Sequence, residues 1–177
     1  MTALLWLTRD LRLHDHPALA ATLDGHDRVV PVFCLDPRLL HGRHASAVRT
    51  QFMLECLADL DRSLRARGSA LVLRHGRPER VLPKLAAETG ARVVHCSADS
   101  GPFARARAER LRASLGGRDV RLLEHPGLHA INDLAAVATG MGRPYTVFSP
   151  FHRAWSGLPR RDVTAPPDAL PPPPDED

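Results

Sequence analysis

Short apolar runs of strand length alternate with helix signals as far as residue 123, and this alternation restricts the chain more than any other feature. Ala3–Thr8, Arg28–Leu35, Leu71–Leu73, Arg92–Cys96 and Val120–Leu123 read as five short buried strands. Helices fall between them. Asp15 is placed to cap a first helix, with Pro17 in its first turn and Leu19 and Leu23 four apart. Ser46 is placed to cap a long helix whose Met53, Leu57, Leu60 and Leu64 share one face and which Gly68 stops. Pro78 opens a third helix that Gly90 closes, and 102–115 is a fourth with Ala108, Leu111 and Leu115 as its apolar stripe. Strands that are all apolar and all separated by helices predict an α/β fold. It is a three-layer, doubly wound five-stranded parallel sheet with helices on both faces, Rossmann-like.

After Val120 the pattern loosens. Asn132 is placed to cap a short helix, and Phe148, Phe151 and Trp155 fall in an aromatic-rich stretch. We take residues 1–157 as the folded domain. Residues 158–177, with Pro166, Pro167, Pro171–Pro174 and an acidic end, read as an extended interdomain linker or disordered tail, not a packed element. A linker implies a partner domain; a tail belongs to a complete protein. Composition alone leaves both open.

Other function classes are excluded or weakened. No apolar run reaches the roughly 18 residues needed to cross a bilayer. The N-terminus lacks the charged lead of a signal peptide, so a cytoplasmic location is expected. Cys34, Cys56 and Cys96 are odd in number and far apart, which suits reduced thiols. The net charge of +4 comes almost wholly from scattered arginines, since Lys84 is the only lysine, and it marks no nucleic-acid groove. Neither a P-loop, nor a G-x-G-x-x-G fingerprint, nor a G-x-S-x-G elbow is present. His41 and His44 have a spacing a metal could use but no cysteine or carboxylate beside them, so a solvated loop is expected. His14-Asp15-His16 reads as helix-start polarity.

In an open parallel sheet, ligands bind beyond the carboxyl ends of the strands, where the strand order reverses. The residues there include Arg9, Asp10, Arg12, Phe33, Cys34, Asp36 and Asp99, with Arg49 near the start of the long helix. An arginine, an aspartate and a phenylalanine suit a flat ligand with a polar edge: the phenyl stacks and the charges fix the edge. A structural Arg49–Asp99 salt bridge beside a core phenylalanine explains the same residues, and both readings stand.

Five stretches in order carry a resemblance. They are Trp6 with Arg9-Asp10-Leu11-Arg12, Asp15 and Leu19; Pro31-Val32-Phe33-Cys34-Leu35-Asp36-Pro37; Arg49, Phe52 and Glu55 running on to Gly68; Gly101-Pro102-Phe103-Ala104-Arg105 with Arg107; and Tyr145 to Phe151 with Trp155. Together they resemble the N-terminal α/β antenna domain of the DNA photolyase and cryptochrome family. The resemblance implies strand order 3-2-1-4-5 and a light-harvesting chromophore in the crevice, passing excitation to FAD. That catalytic FAD belongs to a helical domain, which also binds damaged DNA and which is not expected within these residues. No bond-making chemistry is then expected here, and no FAD ligand can be carried over. The implied antenna residues are Phe33, Cys34, Leu35, Asp36, Arg49 and Asp99, with Arg9 a further candidate. Gly101 stands where folate-using members have a glutamate, which favours an 8-hydroxy-5-deazaflavin over methenyltetrahydrofolate; FMN and FAD stay open as antennae. Thr8, Ala108, Thr146 and His152 depart from the commoner residues of the family.

Overall fold

The structure is a computed structural model, and it describes residues 1–43 and 45–172. The five expected strands form: β1 (Thr2–Leu7), β2 (Arg28–Leu35), β3 (Val72–His75), β4 (Val93–Ser97) and β5 (Arg121–His125). All pair in parallel, in the order β3-β2-β1-β4-β5. The helices are α1 (Pro17–Gly25), α2 (Pro37–Leu40), α3 (Ala47–Arg65), α4 (Pro78–Thr89), α5 (Pro102–Gly116) and α6 (Phe148–Ser156).

Strand alternation builds two cores. Leu4 and Trp6 of β1, with Val30, Val32 and Cys34 of β2, face Leu82, Leu85, Leu111 and Leu115 of α4 and α5. Leu5 and Leu7, with Val29 and Phe33, face Ala18, Leu19, Leu57, Leu60 and Leu64 of α1 and α3. Helices α3 and α5 therefore bury the stripes their periodicity predicts, and the inner strands β1, β2 and β4 are apolar because both faces are covered, whereas the edge strands β3 and β5 are partly exposed. Ser46 caps α3, and Gly90, in the left-handed region at φ 68°, ends α4.

Two local expectations are corrected. His16, not Asp15, caps α1: its Nδ1 accepts the Leu19 N–H at 3.1 Å. Asp15 instead takes up a left-handed conformation, φ 53°, which a short polar side chain tolerates. Asp133 rather than Asn132 caps the turn that follows β5, and that turn, Leu134–Ala136, is a 3₁₀-helix.

The tail differs most from expectation. As far as residue 172 it is irregular and extended, as its prolines require, yet it is docked on the domain. Arg161 pairs in bidentate fashion with Asp15, and the Asp15 N–H donates to the Thr164 carbonyl at 2.7 Å. The Arg67 guanidinium donates to the Pro167 carbonyl at 3.0 Å, and the Leu170 N–H to the Arg67 carbonyl at 2.8 Å. Leu170 is only 7% exposed and packs into the α1–α3 core. The expected unpacked spacer is thus, over residues 158–172, a strap. The end of the proline run and the acidic terminus, 173–177, lie outside the described residues.

Candidate functional site

The chain winds from β1 through β2 to β3 in one direction and through β4 to β5 in the other, so the order reverses between β1 and β4. Their carboxyl ends release two loops, Thr8–Leu13 and Ala98–Gly101, that border the crevice.

Asp10, at the β1 end, is 3% exposed and held from three sides. The Ser97 hydroxyl donates to it, the Thr8 N–H approaches at 3.4 Å, and His16 Nε2 lies 3.1 Å away. Because His16 Nδ1 accepts a backbone N–H, the proton of the neutral ring sits on Nε2, the nitrogen beside the carboxylate. Burial works to raise the Asp10 carboxyl, but His16 and Ser97 hold it well below the usual carboxylate range. The residue types of a serine-hydrolase triad meet here in an arrangement that cannot work as one. Ser97 and His16 both address the same Asp10 oxygen, so no base faces the hydroxyl.

The predicted ligand residues fare differently from one another. Asp99 pairs with Arg9 at 3.3 Å and accepts the Gly101 N–H at 2.9 Å. Arg49 sits exposed in the first turn of α3. Asp36 caps α2 and accepts from the Arg38 guanidinium at 3.0 Å, and Arg38 in turn grips Glu79 at 2.9 and 3.1 Å. Although burial opposes it, Arg38 holds the Asp36 carboxyl below its ordinary value. Phe33 is 8% exposed, within the α1–α3 core, so its ring packs against leucines rather than lining an open face. Cys34 belongs to the other core, its thiol pushed up to about 12 by burial, and is chemically inert. Leu35 is half-buried.

Two groups were not among the predicted site residues. Arg107 of α5 lies over the Trp6 ring, 4.8 Å from its centre, and 5.6 Å from the Phe103 ring. It makes no hydrogen bond or ion pair with a described residue, and its Nε is buried without a partner. Burial pushes its pKa below the usual arginine value, against the pull of the Asp36 and Asp99 carboxylates. The second group is a histidine stack. His95 and His125 lie parallel with 5.0 Å between ring centres and 2.9 Å between facing nitrogens, and His26 meets His95 edge-on. Burial, and then the neighbouring histidines, lower His95 to about 4. Among the described residues, no set of histidines, cysteines and carboxylates could hold a metal; His44, half of the candidate pair with His41, lies outside them.

Beside Asp99, a cleft of about 520 Å³ opens between the β4 and β5 ends. Asp99, Ser100, Arg105, Glu124, His129 and Asn132 supply its polar lining. Its volume is within the range that takes a small aromatic ligand.

The DNA photolyase family profile matches residues 3–174. The chain belongs to that family. It is similar to the deoxyribodipyrimidine photo-lyase of Synechococcus sp. (strain ATCC 27144), 33% identical over 94% of this chain. It spans 34% of that photolyase and 58% of a second Synechococcus relative. Among solved structures it superposes on a class III photolyase from Agrobacterium tumefaciens with a TM-score of 0.88 and 29% identity, over 98% of this chain and 36% of that one. It also superposes on an archaeal photolyase from Sulfolobus tokodaii, described with two FAD molecules, with a TM-score of 0.81 and 25% identity, over 97% and 38%. The matched portion is the N-terminal α/β domain, and the observed strand order agrees with the one the resemblance implied. No helix among the described residues is long and apolar enough to cross a membrane.

Proposed function

We propose that this domain seats a light-absorbing antenna chromophore and passes its excitation to FAD held by a helical domain, supplied in cis or in trans. That domain, and not this one, would carry lesion binding and repair of damaged DNA. The observation that supports this most is the switch-point crevice, bordered by Asp99 and Arg9, in a chain of the photolyase family. Such a role needs a pigment held at fixed distance and orientation, not an acid, base or nucleophile. The inert, buried thiols of Cys34 and Cys96 and the miswired Ser97–Asp10–His16 set are in keeping with it.

The pigment is an 8-hydroxy-5-deazaflavin on this reading, with FMN, FAD or methenyltetrahydrofolate as the other choices. Arg49 and Asp99 hold its edges, with Arg9 beside Asp99. Phe33, Cys34, Leu35 and Asp36 contribute the β2 exit. Since the first two side chains are packed into the cores and Asp36 is engaged by Arg38, their part is played by backbone. Titrating the full chain with 8-hydroxy-5-deazariboflavin, followed by absorbance and fluorescence, tests this. Saturable binding that Arg49→Ala and Asp99→Ala each weaken is expected. No saturation, or indifference to both substitutions, would sink the proposal.

A second reading has its own support. Along α6 and the residue before it, Val147 and Phe148 are 61% and 72% exposed. Phe148 neighbours Phe151 and His152 in an aromatic row that ends at Trp155. An uncovered row of this kind suits docking of a separate helical flavoprotein. Co-elution with such a flavin-containing partner, abolished by Phe148→Asp, would favour it.

A further inference from the structure

The arginines around the crevice are not equivalent. Arg9 has Asp99, Arg38 has Asp36 and Glu79, and Arg110 has Glu79 at 3.5 Å. Arg107 has none of these. Asp36 already accepts from Arg38, and Asp99 from Arg9 and the Gly101 N–H. Of Arg9, Arg38, Arg107 and Arg110, Arg107 is the one with no carboxylate partner among the described residues, and it lies over Trp6. Two aromatic faces satisfy its charge in part, but among the described residues its guanidinium finds no acceptor and its Nε is buried without one. A planar fork of donors matches a phosphate or carboxylate in two-point fashion, which a lysine would not. One turn earlier on the same helix, Phe103 is 44% exposed, with Arg107 and Arg38 5.6 and 5.7 Å from its ring. It is a wet aromatic face beside an unsatisfied cation.

We propose that Arg107 is an anion anchor: it takes a phosphate or carboxylate carried by the crevice ligand, while Phe103 offers its ring to the ligand's flat portion. The proposal deepens the antenna reading and rests on it for the identity of the flat portion. It predicts that the natural ligand is an acidic ester or acid, and that a pigment lacking that group binds measurably but more weakly.

The full chain is titrated with 8-hydroxy-5-deazariboflavin and with its 5′-phosphate, which differ only in the anion. The phosphate is expected to bind at least about tenfold more tightly, as a charge-assisted pair gives. Arg107→Met, which keeps an apolar stem over Trp6, should remove that preference and leave the unphosphorylated pigment's affinity unchanged. Equal affinities for the two pigments in the native chain would overturn the proposal without any variant being needed. So would an Arg107→Met change that weakens both pigments alike. If neither pigment binds, the antenna reading fails, and inorganic pyrophosphate decides about the anchor alone. Thermal stabilisation of the native chain, reduced in Arg107→Lys and absent in Arg107→Met, would sustain it. No stabilisation, or stabilisation equal in all three, would overturn it.

Discussion

Asp10 and Asp99 follow neighbouring, paired strands, yet the first is enclosed by a serine and a histidine while the second meets an arginine whose side chain is 64% exposed. The enclosed cluster continues inward through His95 and His125. The open one continues outward to Phe103, Arg107 and the cleft beyond Asp99. Buried polar groups are costly unless partnered, so the enclosed set is tied up in holding the β1 loop, α1 and β4 together. The open set has a cation to spare and solvent to give up. Architecture lies in one cluster and ligand capacity in the other.

Asp10→Ala strikes that division hardest. It strands the His16 Nε2–H and the Ser97 hydroxyl in a dry site, and we expect a loss of about 3 kcal/mol in urea unfolding. A loss under about 1 kcal/mol would place Asp10 with the open cluster. Acid comes next. Because His95 has a folded pKa of about 4 against an ordinary 6.5, the unfolded chain binds more protons between those values. Its contribution is complete above pH 6.5 and is lost as the pH falls toward 4, by up to about 3 kcal/mol. His95→Gln should flatten that slope, and an unchanged slope would assign it to other groups. Leu170→Ala, which empties a buried site under the strap, should cost about 2 kcal/mol, measured in the same way. Arg9→Ala comes last: its ion pair is mostly solvated, so stability should move by less than about 0.5 kcal/mol. A larger loss would mean that the open cluster is structural as well.

Much of the layered fold was legible, since a strand covered on both faces is apolar throughout and a helix packed on one face repeats its leucines. Ser46 as a cap and Met53, Leu57, Leu60 and Leu64 as a face are local patterns, and both are observed. The orientation of Phe33 was harder to read. A strand with no polar side gives no sign of which layer a given residue meets, so a core ring passed for a stacking surface. Pairings across the chain leave no periodic trace at all: Arg9 with Asp99, Arg161 with Asp15, and Arg107 over Trp6 are 90, 146 and 101 positions apart. His95 was invisible for a related reason, being one polar residue inside a short apolar run whose partner ring comes from the next strand.

The strap also decides where mechanical load would enter the molecule. With Leu170 nailed beside α3 and Arg161 pinned to the entrance of α1, tension applied beyond residue 172 is delivered to the flank of the sheet. The α6 aromatic row is spared, and the leucine must be wrenched out before any pull can reach it.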